Sequence, residues 1–408
     1  MIEKEKMNML TSLAFVFLLG LAMAALCQQF KIPRIIGMLI TGIVLGPCGL
    51  NWLSDSILGI SSELRQMALI IILLKTGLSL NLADLKKVGR PALMMSCVPA
   101  SCEILAFVIF APAILHISRV EAAVMGAVLG AVSPAVVIPR MVQLMETKYG
   151  TEQRIPQMIM AGASCDDIFV IVLFSTFVNM VQGGSAHVTD FINIPVSIIL
   201  GIALGAVAGY ALSLFFETVY ARKHYVRNSM KVILILGMSF LLMSVETWLK
   251  GIVSVSGLLA VVGMAAVIRV KCVPDVSKRL SEKFGKLWIA AEVILFVLVG
   301  AAVDIRYTMQ AGIAAVFMIF IGLMFRAVGV FLCMLGTRLK RKERLFCVIA
   351  YLPKATVQAA IGSVPLAMGL SCGQIVLSVA VLAILITAPL GAAGMDLTYD
   401  KLLVHSKG

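Results

Sequence analysis

Asp166 and Asp167 stand side by side in the segment 156–175, which otherwise reads as membrane. One carboxylate in hydrocarbon is costly, and two adjacent ones are worse because each opposes ionisation of the other. A chain that keeps such a pair has something positively charged to bring to it, and protons and small cations fit that chemistry. The bland alternative is capping or packing. It is disfavoured, because nothing signals a helix start there and acids at this depth rarely serve packing.

Other charges share that depth. Glu103 lies well away from either end of its apolar segment, and Arg326 and Lys354 lie within two later ones. Arg keeps its proton at any useful pH, so Arg326 is a fixed positive partner. Glu103 and Arg326 read as a structural ion pair, with proton transport through one of them as the alternative. A buried Lys does release its proton. Lys354 therefore reads as a fixed cation facing helix ends or, less favoured, as a proton carrier. Arg140 and Glu246 sit near helix ends and reach the interface. Glu292, about two turns into its segment, is ambiguous.

The elements that position these groups are membrane spans. Of the residues 61% are apolar and 13% charged, and apolar runs of about twenty residues recur from end to end. That excludes a soluble class. The net charge of +13 points to loops beside anionic lipid, not to nucleic acid. The nine cysteines lie mostly in apolar segments without C-x-x-C or Cys/His pairing, so they read as packing residues; zinc and disulfides are not expected.

The expected fold is an all-α polytopic membrane protein with thirteen spans: 8–28, 33–52, 64–80, 91–115, 121–144, 156–181, 193–216, 231–249, 251–270, 286–304, 311–335, 345–368 and 373–394. Basic residues concentrate after odd-numbered spans, as in Arg338, Lys340, Arg341, Lys342 and Arg344. Only isolated ones (Arg65, Arg119, Lys250, Arg306) follow even-numbered spans. This places the N-terminus outside and the C-terminus in the cytoplasm of a plasma-membrane protein. A weak echo between the ends of spans three and ten, seven spans apart, suggests two inverted six-helix repeats, 8–181 and 231–394, joined by a linker helix, 193–216. All of it, 1–408, reads as one transporter domain.

Two spans, again seven apart, carry helix breakers beside polar residues: Gly130-Ala131-Val132-Ser133-Pro134, and Pro353-Lys354-Ala355-Thr356. Pro removes a backbone hydrogen bond, so each helix is expected to break at mid-membrane. The broken ends present bare N–H and C=O groups, and where the two helices cross, a Lys and an acid suit them. Two ordinary Pro kinks are the alternative.

Four stretches carry a resemblance: 41–47 (TGIVLGP), 129–137 (LGAVSPAVV), 164–168 (SCDDI) and 352–362 (LPKATVQAAIG). In this order they resemble the cation/proton antiporter superfamily, in its NHA-type sodium/proton exchanger branch. The resemblance implies a homodimer with a transport core, 91–181 and 311–394, and a dimerisation part, 8–80 and 193–304. It implies that Asp167 holds Na⁺ or Li⁺ in competition with protons, that Asp166 assists or is tied to a cation, and that Ser133, Glu103, Arg326, Lys354 and Thr356 support them. Many electrogenic relatives carry a Lys on the Arg326 span, so the Arg puts stoichiometry in question. If that Lys is what a two-proton cycle needs, the exchange here is one for one.

The function expected is secondary cation/proton antiport by alternating access, with membrane lipid around it and no cofactor. No G-x-x-x-x-G-K-[ST] loop offers ATP drive. The alternatives are a sodium-coupled organic-anion symporter, K⁺/H⁺ antiport, and a gated channel. A membrane enzyme is not expected, since His116, His187, His224 and His405 form no nucleophile–base constellation.

Overall fold

The computed structural model describes residues 8–79, 89–182, 188–223, 228–249 and 255–405. Lys250, residues 251–254 of the ninth expected span, His187 and His224 lie outside them. Among the described residues the secondary structure is helical, apart from an isolated antiparallel bridge between Tyr149 and His405. Every expected span contains helix, and among the described residues nine helical stretches, two of them interrupted, are long and apolar enough to cross a membrane. The other four spans hold helices that are shorter or more charged: Arg34–Leu45, Ser61–Ser79, Gly257–Lys271 and the interrupted run Arg341–Ala350 and Thr356–Gly362. Residues 46–52, expected to continue a helix, form turns instead, because Gly46-Pro47 stops it.

Backbone contacts divide the chain into two units. One comprises Met1–Arg65, Leu82–Val170 and Val293–Gly408. In it the helix Val98–Leu115, which carries Glu103, packs along Ile305–Cys333, which carries Arg326. Small residues allow the approach: a Cβ at Gly329 would sit 2.8 Å from Pro99 Cα and 3.2 Å from Cys102 Sγ. Gly322, Arg326 and Gly329 are spaced four and three apart, so they share one helix face. That face puts the guanidinium opposite Glu103. An unexpected interruption at Ser96–Cys97, just before Pro99, separates Arg90–Met95 from Val98–Leu115.

The two breaker-rich spans are broken. Helix Arg119–Leu129 opens on a capping box, Ser118 with Glu121, and stops at Gly130. Pro134 starts the next, Pro134–Glu146. Helix Arg341–Ala350 stops at Tyr351, and Thr356–Gly362 resumes after Ala355. Asp166 and Asp167 lie on the continuous helix Ile155–Gln182. Arg140, expected to reach the interface, makes a two-pronged pair with Asp396, at 2.8 and 2.9 Å.

The second unit comprises Gln66–Asn81 and Ile171–Glu292. Its centre is the pairing of Val188–Lys223 with Gly257–Lys271. Gly205 makes that pairing close, since any Cβ there would collide with the Ala260 backbone, its Cα at 2.8 Å. Glu246 caps a helix instead of merely reaching for water: its Oε2 accepts from Gly257 N at 2.9 Å. A Gly205→Ala change is expected to cost about 1–3 kcal/mol by overpacking, read as a lower apparent melting temperature in detergent. Gly237→Ala, whose added Cβ meets nothing within 4 Å, should leave it unchanged.

Candidate ion-binding site

The break at 130–133 exposes backbone groups that no helix satisfies, in a setting without water to pair them. Three successive carbonyls end the first half-helix, and each receives a different side chain. Leu129 O accepts from Lys354 Nζ, Gly130 O from Arg326 Nη1, and Ala131 O from Gln358 Nε2 at 2.8 Å. The next two groups are N–H donors. Val132 N donates to Asp166 Oδ2 at 2.7 Å, and Ser133 N donates to Pro353 O at 2.8 Å. That last bond ties one break directly to the other.

The second break is treated likewise. Lys354 N donates to Thr387 Oγ1 at 2.9 Å, and Ala355 N donates to Gln358 Oε1 at 2.7 Å. Tyr351 O accepts from Arg326 Nε at 2.6 Å. Gln358 therefore serves both breaks, donating to one and accepting from the other. Thr356 opens the resumed half-helix and is buried.

The donors bring positive charge, and acids answer it. Glu103 Oε2 lies 2.9 Å from Arg326 Nη1 and 2.5 Å from Lys354 Nζ. Asp166 Oδ2 lies 3.1 Å from Arg326 Nη2. Glu103, Asp166, Arg326 and Lys354 are all at most 1% exposed, so none relies on solvent. Arg326 thus spans two acids, where the sequence suggested Glu103 alone. Lys354 meets both a helix end and Glu103.

Asp167 differs from its neighbour. It is buried, and among the described residues its Oδ1 has no hydrogen-bond partner. Asp166 Oδ1 and Ser133 Oγ are likewise buried and unpartnered. These oxygens are acceptor positions of the kind hard monovalent cations take. Among the described residues no three His, Cys, Asp or Glu side chains group as a metal site.

All seven singled-out residues, Ser133, Glu103, Asp166, Asp167, Arg326, Lys354 and Thr356, lie in the first unit. The sequence reading missed Gln358, Thr387 and Tyr351. Gln358 had a signal: a polar residue one turn after Lys354 in a buried helix. Thr387, alone in an apolar span, had none.

Helical spans interrupted at two mutually bonded breaks, with ion pairs at the junction, define a membrane-transporter architecture. The solved sodium/proton antiporter MjNhaP1 from Methanocaldococcus jannaschii has this fold, with TM-score 0.80 and 22% identity, covering 96% of this chain and 97% of that one. The family description "Sodium/hydrogen exchanger, transmembrane" matches residues 13–395. Human sodium/hydrogen exchanger 9B2 is 32% identical over 386 residues, 91% of this chain and 70% of that protein. Human sodium/hydrogen exchanger 9B1 is 32% identical over 360 residues, 85% of this chain and 67% of that protein. The chain belongs to the sodium/hydrogen exchanger family. It is a multi-pass membrane protein, and its relatives are named as exchangers rather than enzymes.

Removing a shared partner from this cluster should be severe. Among the described residues, Glu103→Ala strips Lys354 of the acid it pairs with and Arg326 of one of two, and is expected to cost about 3–5 kcal/mol. Gln358→Leu leaves Ala131 O and Ala355 N unpaired, at about 1–3 kcal/mol each. Both are read as loss of thermal stability in detergent.

Proposed function

We propose that this protein exchanges a monovalent cation, Na⁺ or Li⁺, for protons, and that the two compete at Asp166 and Asp167. A charge count carries the reading. Glu103 and Asp166 balance Arg326 and Lys354, so Asp167 is the carboxylate left over. Ionised and empty, it leaves one net negative charge in a buried site, a costly species to carry across the membrane. A bound cation or a proton cancels that charge. Either loaded form crosses and the empty form stalls, which couples the two fluxes without a further energy source.

On this reading Asp167 is the primary ligand and proton carrier. Asp166 Oδ1 and Ser133 Oγ are secondary ligands, while Glu103, Arg326, Lys354 and Thr356 hold the frame. Arg326 stays charged throughout the cycle, which supports exchange of one proton per cation. Residues 91–181 and 311–394 act as the transport core in an elevator-type cycle of alternating access. Residues 8–80 and 193–304 form the dimerisation part of a homodimer. The setting is the plasma membrane, N-terminus outside and C-terminus in the cytoplasm. The names of the relatives, sodium/hydrogen exchangers and a sodium/proton antiporter, support the choice of ions.

In proteoliposomes with an imposed pH gradient, added Na⁺ or Li⁺ is expected to dissipate the gradient, and Asp167→Asn to abolish the response. No cation-dependent proton flux from well-folded protein would sink the reading. One-for-one exchange further predicts the same rate with membrane potential clamped or free; acceleration by clamping means more than one proton per cation.

A further inference from the structure

Tyr351 makes a contact that the ion site as described does not use. The residue is fully buried, and its carbonyl holds Arg326 Nε. Its ring centroid lies 5.4 Å from the guanidinium carbon. Among the described residues the buried hydroxyl has no hydrogen-bond partner. It bears instead on Gly162: a Cβ there would collide with the hydroxyl, and would stand 3.0 Å from Met95 Cβ and 3.4 Å from Tyr351 Cζ. Gly162 is one helical turn ahead of Asp166 on Ile155–Gln182. One rigid ring therefore touches both Arg326 and the helix bearing Asp166, the two sides of the 3.1 Å ion pair.

We propose that Tyr351, seated against Gly162, is a positioning residue that sets the spacing between Arg326 and Asp166. Through that spacing it sets how tightly the acid pair holds a cation. The inference rests on the exchange-site reading of Asp166 and Asp167. Its physical basis is the steep dependence of a desolvated charge interaction on distance, together with the cation–π hold of the ring on the guanidinium. The hydroxyl contributes through its bulk, not through a hydrogen bond. The missing side chain at Gly162 is the slot that bulk requires. An Arg326 held less closely repels a cation at the acid pair less, so the pair holds the cation more tightly.

The test compares Gly162→Ala, Tyr351→Phe, the double variant and Tyr351→Leu in the full-length protein. Two half-saturating Na⁺ concentrations are measured across the active pH range: for antiport in proteoliposomes, and for thermal stabilisation of purified protein. Tyr351→Leu is expected to lower both by about three- to thirtyfold, the equivalent of a desolvated cation–π contact. Gly162→Ala should shift them the same way, and Tyr351→Phe less than Gly162→Ala does. Adding Tyr351→Phe to Gly162→Ala should reverse at least half of the logarithmic shift. With the hydroxyl gone, the new Cβ faces Cζ at ordinary contact distance, and Met95 has only to give slightly.

A double variant no closer to wild type than Gly162→Ala overturns the proposal, as does Tyr351→Leu with unchanged cation affinity. If Gly162→Ala does not fold, Tyr351→Leu against Tyr351→Phe decides, and equal shifts count against the positioning role. Absence of antiport in the wild type rejects the exchange reading, while the stabilisation titration still judges the Tyr351 contact. Absence of both responses in the wild type rejects the two together.

Discussion

Backbone hydrogen bonding in a water-free interior is the constraint on which the site depends. A helix broken at 130–133 leaves three carbonyls pointing the same way, the negative end of the half-helix dipole. Unpaired, each is expensive in hydrocarbon. Lys354, Arg326 and Gln358 supply donors to Leu129, Gly130 and Ala131, one each. Two of the three are cations, so the repair of the backbone imports two positive charges. Glu103 and Asp166 follow from that import. The ion-pair cluster is thus a consequence of the broken helix, and Asp167 is the charge the repair does not use.

Sharing makes the cluster cooperative. Glu103 Oε2 serves both cations, and Arg326 serves two acids and two carbonyls. A change of charge at the aspartate pair therefore reaches both breaks through Arg326, within a few bonds. Buried ion pairs of this kind add little net stability over apolar packing, because desolvation offsets attraction. Their value lies in specifying which half-helix ends meet. That suits a site whose net charge must change by one without unfolding its surroundings.

Much of this was legible beforehand. Pro134 and Pro353 beside Ser133 and Lys354 marked both interruptions, because a Pro in a span removes a bond that must be replaced. The depth of Glu103, Arg326 and the aspartates marked them as partners or carriers, because isolated charge does not persist there. Other parts were not. Arg326 on Asp166 as well as Glu103 depends on the face that Gly322 and Gly329 press against Val98–Leu115.

Composition and local pattern determined what was local: apolar runs that must be helical, breakers that must interrupt them, and charges too deep to be incidental. Tertiary structure decided every pairing at the site. Arg326 and Gly130 are 196 residues apart, Lys354 and Leu129 are 225, and Gln358 and Ala131 are 227. Nothing along the chain encodes which donor meets which carbonyl over such separations; helix packing does. The aspartate pair was conspicuous from sequence alone. That Arg326 and Val132 close on Asp166, with Asp167 making no ion pair among the described residues, was visible only in the tertiary structure.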